Sequence, residues 1–286
     1  MTYILCTDLD RTLIANGTHA NDQHALPALQ SLLAKTSLKL VYVSGRDINL
    51  VDQAIEQYQL PIPDFAITDV GCQIYQRNNT LWQQNLDWHN ALENTWDMHK
   101  IEKIKNNLSS LSNVSLQEPD RQSIFKLSYY FSTKLDTTEL NNKLVRIVEH
   151  ANLHVNIVMS IDETTNTGLI DFIPKNASKN LAIQFLVEQE SFDTTKLVYS
   201  GDSGNDMSVF SSRFNTILVN NAEPYVKELA ITIAKQNNLT DTVYIAHGDY
   251  FNLTGNYCAG ILEGMAYYFP ELKTIIQEQL DNAKAS

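Results

Sequence analysis

Residues 3–12 read Tyr3-Ile4-Leu5-Cys6-Thr7-Asp8-Leu9-Asp10-Arg11-Thr12, a short apolar run that ends on two aspartates one residue apart. The run has strand length, and its apolar residues are continuous rather than alternating, as in a strand covered on both faces. Further apolar runs occupy residues 40–43, 65–68, 197–200 and 216–219, each followed by turn residues and helical periodicity. That grammar predicts a parallel sheet with helical crossovers, for which residues 25–36, 50–59, 178–188 and 206–211 are the candidates. The expected fold class is α/β, a doubly wound, Rossmann-like parallel sheet. Ligands bind such sheets at the carboxyl edge of the strands, which is where Asp8 and Asp10 fall.

Between residues 81 and 171 the pattern changes. A long polar helix is expected over residues 91–108, a strand over 124–131, a helix over 137–151, and strands over 155–159 and 168–173. These elements predict an α+β module inserted into the core, dividing the chain into a core of residues 1–82 and 174–286 and an inserted cap of residues 83–173. Trp82, Trp88 and Trp96 gather where the chain leaves the core, and aromatic packing at a hinge is expected of them. Residues 257–269 have apolar positions at helical spacing and predict a closing amphipathic helix.

The formal net charge of -12 on 286 residues opposes association with a polyanionic nucleic acid or an anionic membrane surface. An anionic substrate therefore requires a local positive site. Cys6, Cys72 and Cys258 are odd in number, far apart and set among apolar residues, which suits buried thiols better than disulfides or a zinc centre. No apolar run approaches the length of a bilayer span, and the chain opens on strand residues rather than a signal sequence, so a cytoplasmic protein is expected.

Two carboxylates at one strand end repel each other unless a cation lies between them, although an Asp-x-Asp can also simply cap a turn. The loop Gly201-Asp202-Ser203-Gly204-Asn205-Asp206 follows the apolar run 197–200 and brings two more carboxylates to the same edge. Four acids at two strand ends are costly to gather unless metal and phosphate use them. Their oxygen-only character favours Mg2+ over zinc. Ser44-Gly45-Arg46 supplies a hydroxyl and unhindered amides near a helix start, a cradle for phosphate. Lys179 stands where a helix begins, placing an ammonium near the same edge. Together these parts fit phosphoryl transfer, where catalysis is positioning and charge neutralisation.

The four segments, in this order, resemble the four motifs of the haloacid dehalogenase superfamily of phosphatases. The resemblance implies that Asp8 is the nucleophile, Asp10 the general acid and base, and Ser44, Gly45 and Lys179 the phosphate ligands. Asn205 would support the loop or the phosphate. It also implies that Mg2+ is held by Asp8, the main-chain carbonyl of Asp10, Asp202 and Asp206. An insert placed after the third strand is similar to the subgroup with an α/β cap, subclass IIB, of the Cof and sucrose-phosphatase kind. Within it, Val70-Gly71-Cys72-Gln73-Ile74-Tyr75, Phe125-Lys126-Leu127-Ser128-Tyr129, Asn221-Ala222-Glu223-Pro224 and Ala259-Gly260-Ile261-Leu262-Glu263 look similar to sucrose-phosphate phosphatases and their relatives. The implied partner is a small phosphorylated sugar, bound by a monomer or homodimer. Three positions depart from the pattern: Arg11 replaces a small residue, Ser44 a threonine, and Asn180 a frequent glycine.

Period-two alternation over residues 124–131 places Lys126, Ser128 and Tyr130 on one polar face and Phe125, Leu127, Tyr129 and Phe131 on the other. The polar face is expected to look into the active site and bind sugar hydroxyls. His150 and His154, four apart, lack a third ligand and are expected to be structural or surface residues. Two other readings remain: a phosphosugar mutase, which reuses the chemistry, and a receiver-like phospho-acceptor, which needs no second acid beside its nucleophile.

Overall fold

The computed structural model describes residues 2–162, 165–248 and 250–285. The elements follow in order: β1 Tyr3–Thr7, α1 Ala25–Lys35, β2 Leu38–Val43, α2 Ile48–Gln57, β3 Phe65–Thr68, β4 Gln73–Asn78, β5 Leu81–Gln84, α3 Leu86–Glu93 and α4 Met98–Leu108. Next come β6 Val114–Leu116, β7 Leu127–Ser132, α5 Thr137–His150, β8 Val155–Asp162 and β9 Thr167–Pro174. The chain continues through α6 Lys179–Glu190, β10 Leu197–Gly201, α7 Met207–Phe210, β11 Asn215–Leu218, α8 Pro224–Gln236, β12 Val243–Ile245, α9 Tyr257–Tyr268 and α10 Lys273–Ala285.

Eight strands form one sheet in the order β12-β11-β10-β1-β2-β3-β4-β5, parallel from β12 to β3 and antiparallel at β4 and β5. The central strands are buried on both faces, as their continuous apolar runs demand. Ile4, Cys6, Val41, Val43, Leu197 and Tyr199 point to one face. Tyr3, Leu5, Leu40, Tyr42 and Val198 point to the other. A separate antiparallel sheet, β6-β7-β9-β8, is built from the segment between α4 and α6. The doubly wound α/β core with a second α+β unit is therefore the architecture.

Several expected elements are corrected. The helix expected over 91–108 is two helices, because Asp97 accepts hydrogen bonds from the amides of His99 and Lys100 and caps a new helix. The segment 257–269 is not amphipathic, since every residue from Tyr257 to Ala266 is buried. Gly260 and Gly264 permit that burial, for a Cβ on either would lie 2.2 Å from the Gly255 carbonyl oxygen or 2.3 Å from Ile217. The β4–β5 hairpin, β6, β12 and α10 were not expected, being polar or only three residues long. Trp88 donates to the Gly71 carbonyl at 3.1 Å and packs on Phe185, while Trp82 donates to Asp52 at 2.8 Å. These indoles fill packing positions. All three cysteines are buried thiols.

Candidate active site

The parallel register carries Thr7 level with Tyr42 on β2 and with Ser200 on β10. One residue further on, Asp8 emerges between the loops that follow those two strands. Its amide donates to the Ser200 carbonyl at 2.9 Å, so the strand pairing extends through Asp8. Beyond it the chain turns sharply, with the amides of Thr12, Leu13 and Ile14 all converging on the Leu9 carbonyl. Arg11 takes up the left-handed conformation (φ 57°) in that turn.

Asp8, Asp202 and Asp206 are all buried, and one carboxylate oxygen from each lies within 4.8 Å of the others. Lys179, fully buried at the first turn of α6, donates to Asp8 at 2.6 Å, Asp206 at 2.6 Å and Asn205 at 3.0 Å. All three ammonium protons are thus used. Burial opposes the charge of Lys179, but Asp206 and Asp8 outweigh it and raise the pKa. Burial pushes the Asp8 carboxyl up to about 7; Lys179 opposes the rise, and Asp206 and Asp10 add to it. Burial, then Asp206 and Asp8, also raise Asp202 well above the carboxylate range. This is the signature of acids brought together with too little positive charge among them.

The donor set fits a hard divalent cation. Among the described residues Asp202 accepts from the Thr12 hydroxyl at 3.0 Å, with the Arg11 guanidinium 3.6 Å from its other oxygen. Asp8 accepts from the Leu9 amide at 2.7 Å and from Lys179. Asp206 is different. It binds Lys179 and the Tyr199 hydroxyl through Oδ1, and the amides of Asp202 and Ser203 at 3.1 and 3.0 Å through Oδ2. With the Ser203 hydroxyl at 3.4 Å, five donors reach this carboxylate, so beside its place in the acidic trio it shapes the loop and holds Lys179. Gly201 makes room for it, since a Cβ there would meet Asp206 Oδ2 at 2.5 Å.

Asp10 stands outside this trio. Its oxygens are gripped by Arg46 Nε and Nη2 at 2.7 and 2.6 Å and by Asn16 Nδ2 at 2.8 Å. Burial alone would raise its pKa, but the hydrogen bonds and charge of Arg46 hold it below the usual carboxylate range. Ser44 is buried and its Oγ accepts from the Arg46 amide at 3.2 Å, leaving the hydroxyl proton to donate. Gly45 is under no steric demand, because a Cβ there would meet only Val70 at 3.8 Å.

The three residues expected on the polar face of the small sheet part company. Lys126 reaches the core loops, donating to the Gly45 carbonyl at 3.0 Å with Asp69 Oδ1 2.9 Å away. Ser128 is 1% exposed and its hydroxyl goes to Asp171. Tyr130 donates to Glu118 at 2.7 Å. The apolar partners Leu127, Tyr129 and Phe131 are buried on the opposite face, as the alternation requires. His150 is exposed and pairs with its own helix carbonyl, that of Arg146.

Sequence reasoning missed Asn16, Thr12 and Tyr199, and it quoted Arg46 without assigning it the grip on Asp10. It also missed Asp69-Val70-Gly71, whose φ values of 53°, 59° and 98° form three consecutive left-handed residues. Gly71 is obligatory there, because a Cβ would lie 2.3 Å from the Ser178 carbonyl, one residue before Lys179. The signals available were a Val-Gly pair after an apolar strand and the resemblance carried by residues 70–75, neither of which shows the turn.

Among the described residues no helix is long and apolar enough to cross a membrane. The profile of the sucrose-6F-phosphate phosphohydrolase family matches residues 1–269. A putative haloacid-dehalogenase-like hydrolase of Nitrosococcus oceani is 39% identical over 270 residues, covering 94% of this chain and 72% of that protein. Mannosylfructose-phosphate phosphatase of Agrobacterium fabrum is 27% identical over 271 residues, covering 93% and 96%. The crystal structure of Synechocystis sucrose-phosphatase with sucrose and phosphate superposes with a TM-score of 0.77 at 23% identity, covering 94% of this chain and 98% of that one. The chain belongs to the sucrose-6F-phosphate phosphohydrolase family and is a phosphoric monoester hydrolase of the haloacid dehalogenase superfamily.

Proposed function

We propose that the chain hydrolyses the phosphate monoester of a sugar or disaccharide through a phosphorylated Asp8. The observation that carries this reading is the buried trio of Asp8, Asp202 and Asp206 around a single lysine. Such a cluster is stable in working form when a cation and a phosphate share it.

The side chains of Asp8 and Asp202 and the main-chain carbonyl of Asp10 would hold Mg2+, with Asp206 shaping the loop and holding Lys179. When bound, the ion supplies positive charge to neutralise Asp8 and the phosphate oxygens. The Ser44 hydroxyl, the loop amides at Gly45 and the side-chain amide of Asn205 orient the phosphate, while Lys179, held by Asp8, Asp206 and Asn205, supplies positive charge beside it. An Asp8 carboxylate oxygen attacks phosphorus, the bond from phosphorus to the sugar oxygen breaks, and Asp10 delivers a proton to that oxygen. Asp10 then takes a proton from water, which attacks phosphorus and frees Asp8. The grip of Arg46 and Asn16 keeps Asp10 in the proton-accepting form this second step uses. In the first step, an arriving phosphate dianion adds negative charge beside Asp10 and raises its hold on the proton it gives up. The four-stranded sheet unit, roughly residues 83–173, is the cap that selects the sugar.

A screen of sucrose, mannosylfructose, glucosylglycerol and trehalose phosphates beside hexose monophosphates, with and without Mg2+, tests the reading. Inorganic phosphate is expected from at least one glycosylated sugar phosphate, only with the metal. Failure to release phosphate from any of them would sink it, and isomerised sugar phosphate in place of phosphate would establish a mutase.

A further inference from the structure

The backbone carbonyls of the Ser44–Arg46 loop are tied down one after another. Ser44 O accepts from the Val70 amide at 3.0 Å and Arg46 O from the Asp69 amide at 2.9 Å. Both donors belong to the left-handed turn Asp69-Val70-Gly71. The middle carbonyl, that of Gly45, accepts from Lys126 Nζ at 3.0 Å. Two of the three ties come from the core, and the third comes from the segment that leads into β7 of the small sheet.

The tie at Gly45 touches more than one carbonyl. The Gly45 carbonyl and the Arg46 amide belong to the same peptide group, and that amide is the one bound to Ser44 Oγ at 3.2 Å. An ammonium on the oxygen polarises the whole peptide and strengthens its N–H as a donor. The Ser44 oxygen is then fixed as an acceptor, with its proton turned outward. The same residue, Arg46, grips Asp10 with its side chain.

Lys126 is itself held firmly. It is 8% exposed beside Asp69, with the charge of Asp171 also acting on it, and the segment is anchored by the Cys72 thiol on the Phe125 carbonyl at 3.4 Å. Two of its three protons face core groups, the Gly45 carbonyl and the Asp69 carboxylate, so its position is set by the core.

We propose that Lys126 is a positioning residue for phosphoryl transfer rather than a sugar ligand: seated in the small-sheet unit, it completes the loop that aims Ser44 at the phosphate and Arg46 at Asp10. Docking of that unit and assembly of the phosphate loop are then one event. The inference rests on the phosphatase reading above.

The test compares wild type, Lys126→Met, Lys126→Arg and the charge-neutral double variant Lys126→Met/Asp69→Asn on two substrates. One is p-nitrophenyl phosphate, which carries no sugar, and the other is the best sugar phosphate of the screen. Lys126→Met should lower kcat by the same factor on both, about 10- to 100-fold, with KM changed less than about threefold. Lys126→Arg, which keeps a donor to the carbonyl, should recover part of the loss on both. If Lys126→Met does not fold, the double variant, which leaves no unpaired charge facing Gly45, carries the same prediction. A raised KM for the sugar phosphate with p-nitrophenyl phosphate unaffected would overturn the proposal and make Lys126 a sugar ligand. Wild-type constants in the folded variants would overturn it as well. Wild type inactive on both substrates would instead remove the phosphatase reading on which the inference stands.

Discussion

Replacing Asp8 by asparagine should abolish turnover and, without metal, make the protein more stable. The carboxyl is driven from 3.8 up to about 7 by burial and by its acidic neighbours, with Lys179 opposing. At about 1.4 kcal/mol per tenfold change in proton affinity, holding it ionised at pH 8 costs the fold about 4 kcal/mol. Asparagine has nearly the same shape and its carbonyl oxygen can still accept from the Leu9 amide. Its amide must face Lys179, however, which keeps Asp206 and Asn205 as partners. Two donors set against each other return about 1 to 2 kcal/mol. The net gain is about 2 to 3 kcal/mol, or a rise in melting temperature of roughly 3–5 °C in a chain of this size. Thermal denaturation at pH 8 in chelator, beside a phosphate-release assay, reads both effects. An Asp8→Asn protein that melts below wild type in chelator, or that turns substrate over at the wild-type rate, would refute the reasoning.

Metal and protons should compete for the same oxygens. Asp8 and Asp202 are acids with raised pKa values, so the stability they contribute to the metal-free fold is full below the unfolded carboxylate range and is lost as pH rises, for Asp8 through about 7. Added Mg2+ should therefore raise the melting temperature more at pH 8 than at pH 6, and an equal or smaller rise at pH 8 contradicts the placement of the ion. Gly71→Ala should destabilise by about 2–4 kcal/mol, since it forces a Cβ to 2.3 Å from the Ser178 carbonyl at φ +98°. Gly45→Ala, whose Cβ meets only Val70 at 3.8 Å, should lie within about 0.5 kcal/mol of wild type in the same melts.

The core was legible because its strands are buried on both faces and therefore read as unbroken apolar runs: Tyr3–Thr7, Leu38–Val43, Phe65–Thr68 and Leu197–Gly201 all lie where those runs placed them. The β4–β5 hairpin was not legible, because Gln73–Asn78 and Leu81–Gln84 form the sheet's polar edge. The closing helix misled for the opposite reason. It is covered from both sides, so its apolar positions carry no face information, and Glu263 is buried there against Tyr244 and the amides of His247 and Gly248.

The acids of the site announced themselves by lying just past strand ends, and Lys179 by lying at a helix start. What stayed hidden were partnerships between distant residues. Nothing local in Arg46 shows that it will grip Asp10, and nothing in Asp206 shows that five donors will occupy its oxygens. The strand expected over residues 124–131 begins only at Leu127, and alternation within it sorted Ser128 and Tyr130 from Leu127, Tyr129 and Phe131, but it cannot say what the polar face meets. Lys126 met a core carbonyl.

The most direct test is chemical trapping of the phosphoenzyme. Enzyme quenched during turnover with Mg2+ and treated with borohydride should carry homoserine in place of the aspartate at position 8, located by mass spectrometry of the peptide spanning Asp8. Unmodified Asp8 in a sample that is releasing phosphate, or a reduced acyl phosphate at any other aspartate, would contradict the account.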